Sequence, residues 1–310
     1  MNTPLVSVVI PTYNYGRFVC TAVDSALSQT FQPLEVIVVD DGSTDDTRER
    51  LSQYGDHIRY IYQVNKHLSA ARNTGIRAAR GEFIALLDSD DLWAPEKLAR
   101  QVALLLQYPE LGAVGTEKFC IDINGNRLPD MDATDGGVEF VELSLRDFLE
   151  FSPLCPSATM MRRRCFDEVG CFDETLRSVE DMEMWLRVRA RYPVFKLTAK
   201  LTGFRVHPTS MSTMAESMFR NHLKVLDKAF GTIPELQQHG AWRRTAEARM
   251  YREVAWMQYA AGDRWSACTD LLRSVLRWPG ALRDGRGRKR PLARAKALVC
   301  YCMSRRRTAS

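Results

Sequence analysis

Asp88 and Asp90, two carboxylates one residue apart, follow the apolar run Phe83-Ile-Ala-Leu-Leu87. A buried strand ending this way presents both acids at a sheet edge, where Mg²⁺ or Mn²⁺, which take hard oxygen ligands, can link them to phosphate oxygens. Taken alone, an acidic turn closing a strand would look the same. Two other acidic stretches, Asp40-Asp41 and Glu180-Asp181, change the reading. Three acid clusters from separate segments suit a nucleotide whose diphosphate needs a cation to neutralise a leaving phosphate. Asp90 is the expected direct ligand, and Asp88 the residue reaching a ribose hydroxyl or a metal-bound water.

Elements of regular structure must bring these segments together. Val6-Ser-Val-Val-Ile10 reads as a buried strand stopping at Pro11-Thr-Tyr-Asn14. From Gly16 the period becomes helical, with Phe18, Val19, Ala22, Val23, Ala26 and Leu27 on one face. Glu35–Val39 is a second strand, and Ser43 and Asp46 have capping-box spacing for a helix through about Gln53. A strand at 58–61, a helix at 70–79 and the strand of Phe83 follow. Alternating strands and helices predict a parallel sheet that binds ligand at the carboxyl ends of its strands. Pro11–Asn14, Asp40–Ser43 and Asp88–Asp91 share that edge.

Beyond it, the pattern predicts a helix after Pro95, a strand at 111–115 and a hairpin at Asn124-Gly125 that adds antiparallel structure. Residues 129–137 read as a loop that can move near the site. A helix through Phe148, a strand at 158–161 and a short helix at 162–170 come next. The helix opening at Val179 starts with Glu180 and Asp181, acids that could equally serve the free N–H groups of a first turn. Two short strands are expected at 194–197 and 203–207. From Met214 onward the pattern is helical, with a helical hairpin turning near Gly262.

Hydrophobic residues at 45% and charged residues at 26% over 310 residues describe a globular chain of one or two domains. No apolar run follows Met1 and none approaches 18 residues, so the expectation is a cytoplasmic protein that does not cross a membrane. Eight cysteines lack Cys-x-x-Cys spacing, which argues against a zinc ribbon and for reduced thiols. Charge is uneven: residues 281–310 carry ten Lys/Arg against Asp284, a net of +9 in a chain of +5. Within them Leu292, Ala295, Leu298, Val299, Cys302 and Met303 fall on one side of a helix. This amphipathic basic tail suits the anionic inner face of a membrane, or else a protein partner.

Gly-x-Gly-x-x-Gly and Gly-x-x-x-x-Gly-Lys-Ser/Thr are both absent, which disfavours a dinucleotide site and a P-loop. Pro11-Thr-Tyr-Asn14, Val39-Asp-Asp-Gly-Ser-Thr-Asp45, Ala70-Ala-Arg-Asn-Thr-Gly75, Leu87-Asp-Ser-Asp-Asp91 and Glu180-Asp181 together resemble the successive motifs of family 2 glycosyltransferases over roughly residues 5–210. The resemblance implies an α/β protein with a GT-A-like, Rossmann-related nucleotide-binding sheet, added antiparallel elements and a C-terminal helical region. A catalytic domain would span 1–210, with its nucleotide-sugar half to about 115 and its acceptor half after it. A helical extension at 211–280 and the basic tail would follow.

The resemblance further implies metal-dependent, inverting transfer from a nucleotide-diphosphate sugar, with UDP favoured. Pro11 and Tyr13 would lie at the base, Asp41 would bond its edge with Asp40 as a weaker candidate, and Arg72 would stand near base or diphosphate. Asp88 would bind ribose, Asp90 the Mn²⁺ or Mg²⁺, and Asp181 would be the general base. His207 would join the metal or meet the diphosphate, or else be a strand-end histidine with a local bond. His67 departs from the family, which often has glycine or a small residue there. Trp93 and Trp185 are expected to pack internally, and Cys155 to be structural. Family membership implies a glycan or lipid-linked glycan acceptor of the cell envelope, in polysaccharide biosynthesis.

Two rivals remain. A nucleotidyltransferase acting on a sugar phosphate would also use two acids and a metal, but only Arg17 offers a cation near the first turn. A non-catalytic protein could use the tail on nucleic acid or a membrane surface. The acid set speaks against that, and nucleic acid is not the expected partner.

Overall fold

In the computed structural model the described residues are 5–129, 138–207, 215–283, 289, 290 and 297. The chain divides into two compact units, Met1–Ser144 with Leu154–Pro208, and Leu145–Pro153 with Thr209–Ser310.

The first unit begins β1 (Val6–Thr12), α1 (Gly16–Leu27), β2 (Leu34–Asp40), α2 (Thr47–Ser52), β3 (Arg59–Tyr62), α3 (Leu68–Ala78) and β4 (Phe83–Leu86). These four strands pair in parallel in the order β3-β2-β1-β4. Every residue of β1 and β4 is buried, as befits strands covered on both faces. Gly75 of α3 lets that helix approach the sheet, since a Cβ there would lie 2.3 Å from Val9 Cγ1.

After the acidic turn come β5 (Leu92–Trp93), α4 (Lys97–Gln107), β6 (Ala113–Ile121) and β7 (Phe140–Leu143). In the second unit lies α5 (Leu145–Phe151). The first unit then resumes with β8 (Met160–Arg162), α6 (Arg163–Val169), α7 (Glu180–Arg191) and β9 (Val194–Arg205). The sheet continues β4-β8-β6-β9-β5, with β7 also on β9. β8 runs antiparallel to both of its neighbours, while β6 and β9 run parallel. The two short strands expected at 194–197 and 203–207 are one strand. β6 stays paired along it by shifting register around Glu117.

Two other local expectations change. Helix α2 starts at Thr47, without a side-chain cap, because Ser43 Oγ accepts the Asn14 N–H instead. Within the basic segment 281–310, β10 (Leu282–Arg283) and β11 (Lys289–Arg290) form a short antiparallel ladder. The hairpin at Asn124-Gly125 forms, with Gly125 at φ 89°. The expected loop at 129–137, apart from Pro129, and the helix at 291–303, apart from Ala297, lie outside the described residues.

The second unit is helical: α8 (Ala215–Thr232), α9 (Pro234–Gln237), α10 (Gly240–Ala260) and α11 (Arg264–Arg277) follow α5. α10 and α11 form the expected hairpin, with Gly262 at φ 89° and Asp263 capping α11 through Ser266 N–H. No helix among the described residues is long and apolar enough to cross a membrane.

Candidate active site

The turns after β1 and β2 are tied to each other. Asn14 Oδ1 accepts the Thr44 N–H at 2.7 Å, and the Asn14 N–H meets Ser43 Oγ at 2.9 Å. Asp40 is buried with both oxygens engaged, by Ser43 N–H at 2.8 Å and Tyr60 OH at 2.7 Å. Asp41 Oδ1 accepts from Gln63 Nε2 at 2.6 Å and Lys66 N–H at 2.9 Å. Asp41 therefore holds the segment leading into α3, and Asp40 ties its own turn to β3. Pro11 is buried at the end of β1, while the Tyr13 side of that turn is open, the residue being 46% exposed. An open aromatic ring next to a buried acidic turn offers a stacking face and a hydrogen-bonding edge.

His67 precedes α3 at φ 71° and ψ 170°. That region belongs almost entirely to glycine, and holding another residue there costs roughly 1–3 kcal/mol. Its side chain is exposed. The family habit of glycine at this position thus has a backbone reason.

Arg72, on α3, is fully buried, with Nη2 2.6 Å from Asp88 Oδ1 and Nη1 2.6 Å from Glu180 Oε1. Burial opposes its charge, but the two carboxylates more than offset this and raise its pKa. Asn73 adds a second tie: its amide donates to the Phe172 carbonyl and accepts the Phe172 N–H, each at 2.9 Å. Adjacent residues of one early helix thereby fix the approach to α7, about a hundred positions later. Asp181, next to Glu180, is drawn to the edge that carries Asp88. The guanidinium expected near base or diphosphate is instead committed to linking two acids.

Val179, immediately before α7, sits in left-handed backbone at φ 56°, where a β-branched residue is strained. Asp181 Oδ1 accepts the Met182 N–H at 2.7 Å, and the residue keeps some open surface. Burial of the carboxyl, then the neighbouring Glu180 charge, push its pKa up to about 7, although the Met182 N–H and Arg72 pull the other way. A carboxyl balanced near neutrality can take a proton from a hydroxyl at physiological pH.

The turn after β4 is held from behind. Ser157 Oγ accepts the Asp88 N–H at 3.0 Å, and the Ser157 carbonyl accepts from Trp93 Nε1 at 2.7 Å. Asp91, buried, takes the Arg205 N–H at 3.0 Å, and Arg205 Nε donates to the Asp90 carbonyl at 2.6 Å. Pairing of β5 with β9 makes this junction. It also delivers His207, whose Nε2 lies 3.0 Å from Asp90 Oδ2 while its ring packs on Phe18 and Tyr15. Burial, then Asp88, raise the Asp90 pKa, against the His207 bond. A divalent cation fits these donors: it would offset the repulsion between Asp88 and Asp90, and a carboxylate oxygen with an imidazole suits Mn²⁺. Among the described residues no group of three metal-ligating side chains is preassembled, so substrate oxygens and water would complete the shell.

Trp93 and Trp185 are buried, as expected. Burial pushes the Cys155 thiol up to about 11, which leaves it protonated and unsuited to nucleophilic attack. Sequence reasoning did not assign the roles of Ser157, Arg205 and Glu180. Their partners lie 69, 115 and 108 positions away, and no local periodicity signals such pairings.

The sheet and its acid-lined edge define a nucleotide-sugar type of α/β enzyme, and the comparisons bear on which. The family model for glycosyl transferase family 2 matches residues 7–170. An uncharacterized glycosyltransferase of Rickettsia typhi is 31% identical over 241 residues, which span 73% of this chain and 74% of that one. Chondroitin synthase of Escherichia coli is 33% identical over 236 residues, 74% of this chain but only 33% of the synthase. Among solved structures, S. aureus TarS 1-349 in complex with UDP-GlcNAc superposes with a TM-score of 0.64 at 18% identity, covering 88% of this chain and 81% of that one. The mannosyltransferase PcManGT of Pyrobaculum calidifontis, in complex with GDP-Man and Mn²⁺, gives 0.60 at 20% identity, covering 97% and 82%. The chain belongs to glycosyltransferase family 2 and has the GT-A fold of these neighbours.

Proposed function

We propose that this glycosyltransferase moves a sugar, with inversion, from a nucleotide-diphosphate sugar to a hydroxyl of a glycan or lipid-linked glycan of the cell envelope. The observation that carries the reading is the Asp88–Arg72–Glu180 bridge, because it sets Asp181 beside the turn bearing Asp90. Tyr13 stacks on the base, Asp41 meets its edge and Asp88 takes a ribose hydroxyl. Asp181 accepts the acceptor's proton as its oxygen attacks the anomeric carbon opposite the departing diphosphate. Asp90 and His207 are the residues that would hold a divalent cation, which supplies charge neutralisation on the leaving group when bound. Arg72 keeps the two acid clusters in register and so acts through Asp88 and Asp181.

UDP is the favoured nucleotide, as in the UDP-GlcNAc complex of TarS, although the GDP-Man complex of PcManGT shows that the same fold takes a second base. The basic 281–310 segment brings the enzyme to the anionic inner face of the cytoplasmic membrane. Thermal stabilisation by UDP-, GDP- and dTDP-sugars, with and without Mn²⁺, tests the donor reading. One nucleotide class is expected to stabilise the protein in a metal-dependent way. No stabilisation by any of the three would contradict it.

A further inference from the structure

The outer face of the helical hairpin carries large apolar side chains that no packing explains. On α11, Trp265 is 88% exposed, Leu272 49% and Leu276 83%. At spacings of seven and four they form one stripe, directly opposite the buried face of Ala267, Leu271 and Ser274. On α10, Trp256 is 62% exposed and neighbours Tyr259, which packs with Cys268 on the hairpin's small core. An isolated exposed leucine needs no explanation, but a helix apolar on two opposite faces does.

Charge identifies what would cover it. The exposed charged positions of α10 and α11 are Arg244, Arg273 and Arg277, and the one exposed carboxylate of the hairpin is Asp263, which caps α11 through the Ser266 N–H. The acids of these helices are all paired, Glu247 with Arg243 and Arg277, Glu253 with Arg249, and Asp270 with Gln258 and Arg273, so the helices keep an excess of arginine. The surface offered outward is therefore apolar and cationic, with tryptophans, which favour the boundary between headgroups and acyl chains. Ala297, within the +9 segment, packs on the same small core.

We infer that the outer face of the α10–α11 hairpin is a docking surface for an anionic lipid bilayer, with Trp265 and Leu276 as its apolar anchors. The inference extends the membrane reading of residues 281–310 from a tail to a structured face. It stands on lipid binding and not on sugar transfer.

The test is sedimentation of the full chain with vesicles of phosphatidylcholine alone or containing phosphatidylglycerol, for wild type and Trp265→Ser with Leu276→Ser. Wild type is expected to bind the anionic vesicles, less at high salt, and the double variant to bind roughly 10- to 100-fold more weakly, given the apolar area it removes. Donor-induced thermal stabilisation should be the same in both proteins, which separates a failure here from a failure of the transferase reading. Equal lipid binding by the two proteins would overturn the inference, as would no binding by wild type. A wild-type dimer that the double variant converts to monomer would also overturn it, since the face would then belong to a second copy.

Discussion

The turn after β2 and the turn after β4 look alike in sequence, each a run of acids at the end of a parallel strand, yet they use those acids differently. At Asp40 and Asp41 the carboxylates accept backbone N–H groups, a tyrosine hydroxyl and an amide, so their charge is spent on loop shape. At Asp88, Asp90 and Asp91 the acids crowd one another, and burial raises the pKa of Asp90 and Asp91. Acids bonded in this way build a pocket wall, with Asp41 Oδ1 bonded to its loop. Crowded, desolvated acids hold a charge deficit that a cation or a proton can fill.

The largest expected effect is at the crowded end. Asp181→Asn should lower transfer by between about 10² and 10⁴, the usual worth of a general base, with donor binding retained. Its stability should change in the other direction. Asp181 is raised from 3.8 to about 7, so the unfolded chain ionises first. The stability it contributes is complete below about pH 4, falls as pH rises to about 7 and is level above. Denaturant titrations should therefore find the Asn variant gaining on wild type between about pH 4 and pH 7, with no further gain above. Transfer by wild type should rise with pH through an apparent pKa near 7.

Next in size is Arg72→Ala, which leaves buried Glu180 and half-buried Asp88 without their cation. A loss of about 3–5 kcal/mol is expected in urea unfolding. Asp40→Ala and Asp90→Asn then test the contrast between the turns directly. The first should cost about 1–3 kcal/mol, from groups left unsatisfied, while Mn²⁺ still strengthens donor binding. The second should cost little stability at neutral pH and abolish the Mn²⁺ effect. If both lost the metal response equally, the distinction between the turns would be wrong. The smallest effect is at His67→Gly, which should relieve strain and stabilise the protein by roughly 1 kcal/mol, read as a rise in Tm.

The acid-bearing edge was readable because strand–turn–helix alternation is local: β1, β2, β4 and their turns lie where the apolar runs stop. So were Trp93 and Trp185 as packing residues. What could not be read was how the late segments return. The capping-box spacing at Ser43 and Asp46 misled because Ser43 serves Asn14, a partner 29 positions back. The strand pair at 194–207 appeared split because polar Thr198, Lys200 and Thr202 interrupt the apolar pattern, while the β6 ladder continues past them through register shifts on either side of Glu117. Arg72 was read as a ligand contact because an arginine beside a nucleotide site suggests phosphate, whereas its two acid partners lie 16 and 108 positions away.

A crystal structure of the chain with a nucleotide-diphosphate sugar and Mn²⁺ tests the central claim most directly. The account predicts the cation on Asp90 and His207, ribose on Asp88 and the anomeric carbon turned toward Asp181. A donor lodged away from that edge, or bound there with the Asp181 carboxyl facing away from the sugar, would contradict it.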